Sequence, residues 1–429
     1  MKDYAEPPTE ESCYPENNNA VLEDNRRMAS LSTFTLECSF HQCGHRFQKS
    51  RSLSSSLAQS QKEYVMPKTL KPRVAIVHGF WGQNIGNAFF NIGGRWIAEQ
   101  VFPGEVAEIL DQPGYRTFNR KSRGNPQKDF GLLSKLDVEY LILQGPMLTT
   151  TFRTLWEPTF KALASRGTKI ILLSAAFFRY TKEEIASVTE FLKEYPPCLI
   201  STRDADSYEL IRTLSAHTYS GIDSAFFAPK AYTPVRLHTG PFICLNFDQY
   251  PEPNLSVRNA SEHFGGTFDK SFDFHEKKWY ASQPRMLNRL AGAGQWQCYL
   301  AALLDFRRLP AEIADFSIVR TDHRFNPHVT WKIYQHENAV ASDEPFTYFS
   351  LYAGTQLTLS DRVHACVATL AYGNPAMLYH PTPRARLFAR VGLDKIREFP
   401  CVLDQDYLNQ ECDAEIAFLK RAISEIGMR

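Results

Sequence analysis

The stretch Leu357–Gly373, LTLSDRVHACVATLAYG, decides how this chain is read. It opens as a short apolar run, Leu357 to Leu359, which Ser360 and Asp361 interrupt. Val363, Cys366, Val367 and Leu370 then recur at three- and four-residue spacing, the period of a helix. Gly373 ends the pattern and Pro375 follows, as expected just beyond a helix C-terminus. The stretch reads as strand, sharp turn and helix, with Ser360 or Asp361 expected to cap the helix through a side-chain oxygen. Arg362 and His364 fall in the first turn. Residues two apart point about 200° apart around a helix, so a ligand shared by both must lie off the helix N-terminus. Free N–H groups and the helix dipole favour an anion there. A capping Asp with a surface Arg and a packed His is the purely structural alternative.

The rest of the chain supplies the same pattern several times. RVAIVHG from Arg73, YLIL at Tyr140–Leu143, KIILLS at Lys169–Ser174 and CLIS at Cys198–Ser201 are buried-strand runs. Helical segments alternate with them near Arg95–Gln100, at Phe160–Ser165, at Lys182–Tyr195 and at Ser207–Leu214. Thr181 and Glu184 stand at capping-box spacing ahead of the third of these. A second alternation opens at FICLNF, Phe242–Phe247, and continues through FSIVRT, Phe316–Thr321, a helix over Phe346–Ala353, the opening stretch and AML, Ala376–Leu378. Apolar strands alternating with helices imply an α/β fold with parallel sheets covered on both faces. The glycine-rich segment FWGQNIGNAFFNIGG reads as a loop after the first strand, but it is neither a dinucleotide fingerprint nor a P-loop. The polar and aromatic stretch 249–290 reads as an insertion or a loop over the site.

Arg203 repeats the arrangement at Arg362: buried strand, polar residues, Arg, then helix. Both arginines are thereby expected at carboxyl ends of parallel strands, the edge where such sheets bind ligands. An ion pair of Arg203 with Asp204 or Asp206 is the structural alternative. His323 and Arg324 follow another strand end, and Asp223 suits either a turn cap or a hydroxyl partner. Trp81, Trp279 and Trp331 are the residues suited to stacking on a sugar ring, though Trp is more often core.

At 429 residues the chain exceeds one ordinary core, and two domains are expected. Lys plus Arg number 48 and Asp plus Glu 47, a net charge of +1, which argues against a nucleic-acid or anionic-membrane surface. The sequence holds no apolar run long enough to span a bilayer and no signal peptide at its start. The nine cysteines sit mostly singly in apolar runs, which fits a reducing, cytoplasmic setting. Residues 1–70 read as a disordered tail. Their CxxHxCxH cluster, Cys38, His41, Cys43 and His45, lacks the second half of a zinc module. The expected organisation is tail 1–70, a first Rossmann-like domain 71–230, a linker 231–240, a second Rossmann-like domain 241–405 and a C-terminal helix 406–429.

Five segments in order resemble the polysaccharide pyruvyl transferase family: NIGN at Asn84–Asn87, LILQGP at Leu141–Pro146, ISTRDADSYELI at Ile200–Ile211, GIDSAFF at Gly221–Phe227 and TLSDRVHACVATLAYGNPAML at Thr358–Leu378. Asn87 stands where the family loop usually has Asp, and Gln144-Gly145 replaces a fuller glycine run. The resemblance implies two Rossmann-like domains facing across a cleft, similar to type-B glycosyltransferases, with the C-terminal helix returning to the first. It implies transfer of a pyruvyl group from phosphoenolpyruvate onto two hydroxyls of a saccharide, free or lipid-linked, giving a cyclic ketal. It implies His364 as the catalytic residue, with Arg203 and Arg362 binding the donor. Arg384, Asn84, Asn87 and Asp223 are further substrate-binding candidates, and no metal or cofactor is called for beyond the donor. The competing readings are a glycosyltransferase using a nucleotide sugar and a non-catalytic carbohydrate-binding protein.

Overall fold

The computed structural model describes residues 73–79, 81–109, 131–259, 268–324 and 333–428. The tail, its Cys/His cluster and Trp331 lie outside the described residues.

The first half builds one parallel sheet. In chain order its elements are β1 (Val74–Val77), α1 (Gly86–Val101), β2 (Val106–Ile109), β3 (Tyr140–Gln144), α2 (Phe152–Ala164), β4 (Lys169–Ala175), α3 (Lys182–Glu194), β5 (Leu199–Thr202), α4 (Ala205–Ile211) and β6 (Thr218–Ser220). The strand order is β2-β1-β3-β4-β5-β6, and every pairing is parallel. Side chains alternate between faces because the strand period is two. Ala75, Val77, Leu141 and Leu143 pack with Phe152, Phe160 and Phe191 of α2 and α3. Val74, Ile76, Tyr140 and Ile142 pack on the other face with Phe89, Ile97 and Ala98 of α1.

The glycine-rich segment expected as a loop is helical from Gly86 onward. A Cβ on Gly93 would stand 1.8 Å from the Ser224 carbonyl oxygen, and one on Gly94 would stand 1.9 Å from Gln144 Oε1. These two glycines let α1 press against the turn 224–227 and the end of β3; neither is needed for a loop. Two other readings change. Helix α2 begins eight residues before Phe160 and carries Pro158 in its interior. The capping Thr181 accepts from the Glu184 amide, but Glu184 turns back to the amides of Arg179 and Tyr180.

The second half adds β7 (Phe242–Asn246), β8 (Asn254–Asn259), β9 (Lys270–Phe274), β10 (Lys277–Ser282), α5 (Arg285–Gly292), α6 (Gln295–Leu304), β11 (Glu312–Ile313), β12 (Phe316–Thr321), β13 (Ala339–Val340), α7 (Pro345–Gly354), β14 (Leu357–Ser360), α8 (Val363–Ala371), β15 (Ala376–Leu378) and α9 (Gln405–Gly427). Its sheet runs β11-β12-β7-β14-β15, parallel from β12 to β15, with β11 antiparallel at the edge and β13 beside β12. One face packs with α7 and α8. The other is covered by a small antiparallel sheet, β8-β10-β9, built from the stretch that reads as insertion or loop. Trp279 and Phe272 of that sheet are buried against Ile243, Leu245, Ile318, Leu357 and Leu359. Trp279 is therefore core and not a platform for a sugar.

Helix α9, capped by Asp404, returns to the first sheet. Its Glu415 carboxylate accepts from Ser201 Oγ and, at 3.1 Å, from the Ile222 amide. Tyr219 stacks on Phe418. Among the described residues no helix is long and apolar enough to cross a membrane.

Candidate functional site

The carboxyl ends of the two sheets supply the site. In the first sheet, β5 and β6 are neighbours, and Arg203 and Asp223 follow them. In the second, the chain order reverses around β7, which lies between β12 and β14. Asp248, His323 and Arg362 follow those three adjacent strands. Such a reversal opens a crevice at the strand ends.

Arg203 is buried, and its Nη1 donates to Asp223 Oδ2 at 2.8 Å. It does not pair with Asp204, which caps α4, or with Asp206, which pairs with Arg386. Asp223 Oδ1 accepts from the Ala225 amide at 2.9 Å, so the residue caps the turn and also faces the site. His364 arrives from α8 with Nε2 3.6 Å from Asp223 Oδ2. A residue from each half thus meets one carboxylate. Burial alone raises the Asp223 pKa, but the His364 ring and the Arg203 charge outweigh it and hold the carboxyl well below the usual range. Burial pushes the His364 imidazole down; Asp223 opposes this, while Arg203 and Arg384 push further down, and the net shift is downward.

Arg362 is the residue preceding α8, and neither Ser360 nor Asp361 caps that helix. Ser360 Oγ accepts from the Arg362 amide at 2.7 Å, tightening the turn. The Asp361 carboxylate instead accepts from the amides of Gln249 and Tyr250 at 2.9 and 2.8 Å. The Arg362 guanidinium pairs with the buried Asp248 carboxylate, whose other oxygen accepts from the His323 amide at 3.0 Å. Burial raises the pKa of both Asp248 and Asp361. Arg362 and Arg324 reverse this at Asp248, whereas the Asp248 charge pushes Asp361 further up. His323 Nε2 lies 2.5 Å from the Tyr352 hydroxyl, and its pKa falls to about 3, mainly through burial.

Arg362 and His364 therefore diverge around the helix start, as their spacing requires, into two clusters. Gly86 stands between them: a Cβ there would be 3.2 Å from His364 Cβ and 3.3 Å from His323 Nδ1. Asn84 Oδ1 accepts from the Gly86 amide at 3.1 Å and opens α1 at this point. Asn87 is half-buried on the next turn, with its Cβ in the space above Gly79. The Arg384 guanidinium lies over the Phe178 ring at 5.5 Å and acts on His364 electrostatically. Arg203 Nε, Arg362 Nη1 and His323 Nδ1 are buried without a hydrogen-bond partner, and His364 Nε2 has only its 3.6 Å contact with Asp223. Each such group costs about 1–3 kcal/mol unless something accepts from it. The N-termini of α1 and α8 add their dipoles. Asp248 was not picked out in the sequence, although it stands directly after the strand FICLNF, where the strand-end rule applies.

The model of the polysaccharide pyruvyl transferase family matches residues 84–379, and the chain belongs to that family. A comparison with curated proteins returns no match. Among solved structures, the MnaA–UDP complex of S. aureus aligns at TM-score 0.44 and 11% identity, covering 81% of this chain and 90% of that one. The UDP-GlcNAc 2-epimerase of Neisseria meningitidis bound to UDP-GlcNAc aligns at 0.38 and 12%, covering 81% and 93%. The E. coli heptosyltransferase WaaC with ADP aligns at 0.36 and 13%, covering 82% and 99%. At these scores, what those proteins bind says nothing of this chain.

Proposed function

We propose that this transferase moves a pyruvyl group from phosphoenolpyruvate onto two hydroxyls of a saccharide, forming a cyclic ketal and releasing phosphate. The observation that carries the reading is the set of buried nitrogens left without a hydrogen-bond partner, Arg203 Nε, Arg362 Nη1 and His323 Nδ1, beside His364 at a junction of two helix N-termini. Phosphoenolpyruvate presents a carboxylate and a phosphate, both matched to guanidinium groups. In the reaction the methylene carbon gains a proton from His364 and one sugar oxygen bonds to the neighbouring carbon; the C–O bond to phosphate then breaks, and the second sugar oxygen takes the place of the departed phosphate. Of the two hydroxyl protons released, one returns to His364 and the other leaves with phosphate. The His364 pKa is held down by burial and by Arg203 and Arg384, and a bound polyanion offsets those arginines. Donor binding therefore raises the His364 pKa, and the proton is taken up with the substrate. Arg203 and Arg362 hold the anion, and Asp223 keeps His364 in place. Nothing in this scheme requires a cofactor, and a cytoplasmic location fits the supply of phosphoenolpyruvate.

The test is incubation with phosphoenolpyruvate and candidate free or lipid-linked saccharides, following phosphate release and, in heavy water, deuterium in the product methyl group. Both are expected. Thermal stabilisation by nucleotide sugars but not by phosphoenolpyruvate would instead identify a glycosyltransferase.

A further inference from the structure

Residues 286–306 leave six large apolar side chains in solvent. Phe306 is 82% exposed, Met286 87% and Trp296 61%, and Leu300, Leu303 and Leu304 are exposed beside them. Helix α6, QWQCYLAALL, contains no charged residue. Its exposed residues 296, 300, 303 and 304 fall at i, i+4, i+7 and i+8, so they form one stripe. The inner face of the same helix is occupied: Ala301 is buried, and Cys298 and Ala302 line a cavity that reaches Asp248, the partner of Arg362. The segment that carries the stripe is basic along the chain, although Glu312 and Asp315 follow it. Between residues 283 and 310 stand Arg285, Arg289, Arg307 and Arg308, against Asp305 alone. Asp305 is buried and paired with Arg307. Arg285, Arg289 and Arg308 are exposed.

We infer that this face rests on an anionic lipid bilayer, with the stripe of α6 in the interface and the three arginines among the headgroups. Exposed Trp296, Leu300, Leu303 and Leu304 on a helix of ten residues, with Phe306 just past its end and arginines on the flanking segments, are the pattern of an element that lies in the membrane surface. A helix of that length cannot span a bilayer. A second copy is a poorer occupant, because a two-fold interface would bring the arginines of one protomer against those of the other. The chain's net charge of +1 conceals this patch: charge cancels over the whole sequence, but not within residues 283–310. The cavity behind α6 would then open close to the bilayer, where a lipid-linked acceptor would stand. The inference does not require that acceptor, nor the pyruvyl reading.

The full chain is sedimented with vesicles of phosphatidylcholine, with and without phosphatidylglycerol, and no donor or saccharide present. The anionic lipid is expected to raise partitioning by more than about tenfold, and added salt to reverse the gain. Leu300→Glu with Leu303→Glu abolishes binding, and Arg285→Gln with Arg289→Gln and Arg308→Gln removes the preference for phosphatidylglycerol. Brominated lipid quenches the wild-type chain, and the quench falls in Trp296→Phe, which decides the matter even if the glutamate variant fails to fold. Equal sedimentation with and without vesicles, unreduced binding in a folded glutamate variant, or a dimer dissolved by the same substitutions would each overturn the inference.

Discussion

The Arg203 corner and the Arg362 corner look alike in sequence and differ in the folded chain. Each is an arginine after a buried strand, and each acquires a buried carboxylate partner from another strand end, Asp223 for one and Asp248 for the other. Asp223 also faces His364, so the first corner is wired to the imidazole that arrives from the other half. Asp248 instead binds a backbone amide and stands beside Asp361, so the second corner is an electrostatic frame. The same local motif thus serves two purposes, and the difference is set by what the neighbouring loop contributes.

The strongest way to break this comparison is His364→Ala. Loss of about 10²–10⁴ in phosphate release is expected, with thermal stability unchanged. Retained turnover would detach the proton from the first corner. Next, Asp223→Ala and Asp248→Ala each strand a buried arginine, and a loss of about 3–5 kcal/mol in unfolding free energy is expected from both. The milder Asp223→Asn and Asp248→Asn separate the corners. Asp223 raises the His364 pKa, so only its replacement shifts the limb of the rate profile that reports protonated His364, and it shifts it to lower pH.

A smaller effect comes from the latch behind the first corner. Glu415 bonds Ser201 and Ile222, two residues before Arg203 and one before Asp223 respectively. Burial raises its pKa from 4.5 to about 7, with the hydrogen bonds from Ser201 and Ile222 opposing. A carboxyl raised in the folded state stabilises most below pH 4.5, and that contribution is lost as pH rises through 7. It amounts to about 3 kcal/mol. Glu415→Gln, which mimics the protonated form, is expected to flatten this part of the stability profile between about pH 5 and 8. Denaturant melts across that range provide the check. Least of all, Gly93→Ala should cost about 1–3 kcal/mol through overpacking against Ser224. A neutral result would mean that α1 has slack at the first corner.

The parts of the fold that could be read in advance are those governed by neighbours in sequence. KIILLS at Lys169–Ser174 and the repeating apolar positions after Arg362 announce strand and helix through local periodicity. Arg203, Arg362 and His364 stand out as candidates because a strand end followed by a polar residue is a local signal. The segment Gly86–Gly94 was misread because its glycines answer to Ser224 and Gln144, far along the chain. The stretch 249–290 was opaque because its strands face a sheet made by other residues.

Alone, the sequence determined the α/β class and the family, and it singled out Arg203, Arg362 and His364 as candidates, since alternation, motif order and residue chemistry are properties of the chain itself. Tertiary structure decided which carboxylate each arginine meets, that Asp223 contacts both Arg203 and His364, that Asp248 lies against Arg362 and the His323 amide, and that the stripe on α6 is left in solvent. These depend on distances between strand ends and surfaces that the linear order does not encode.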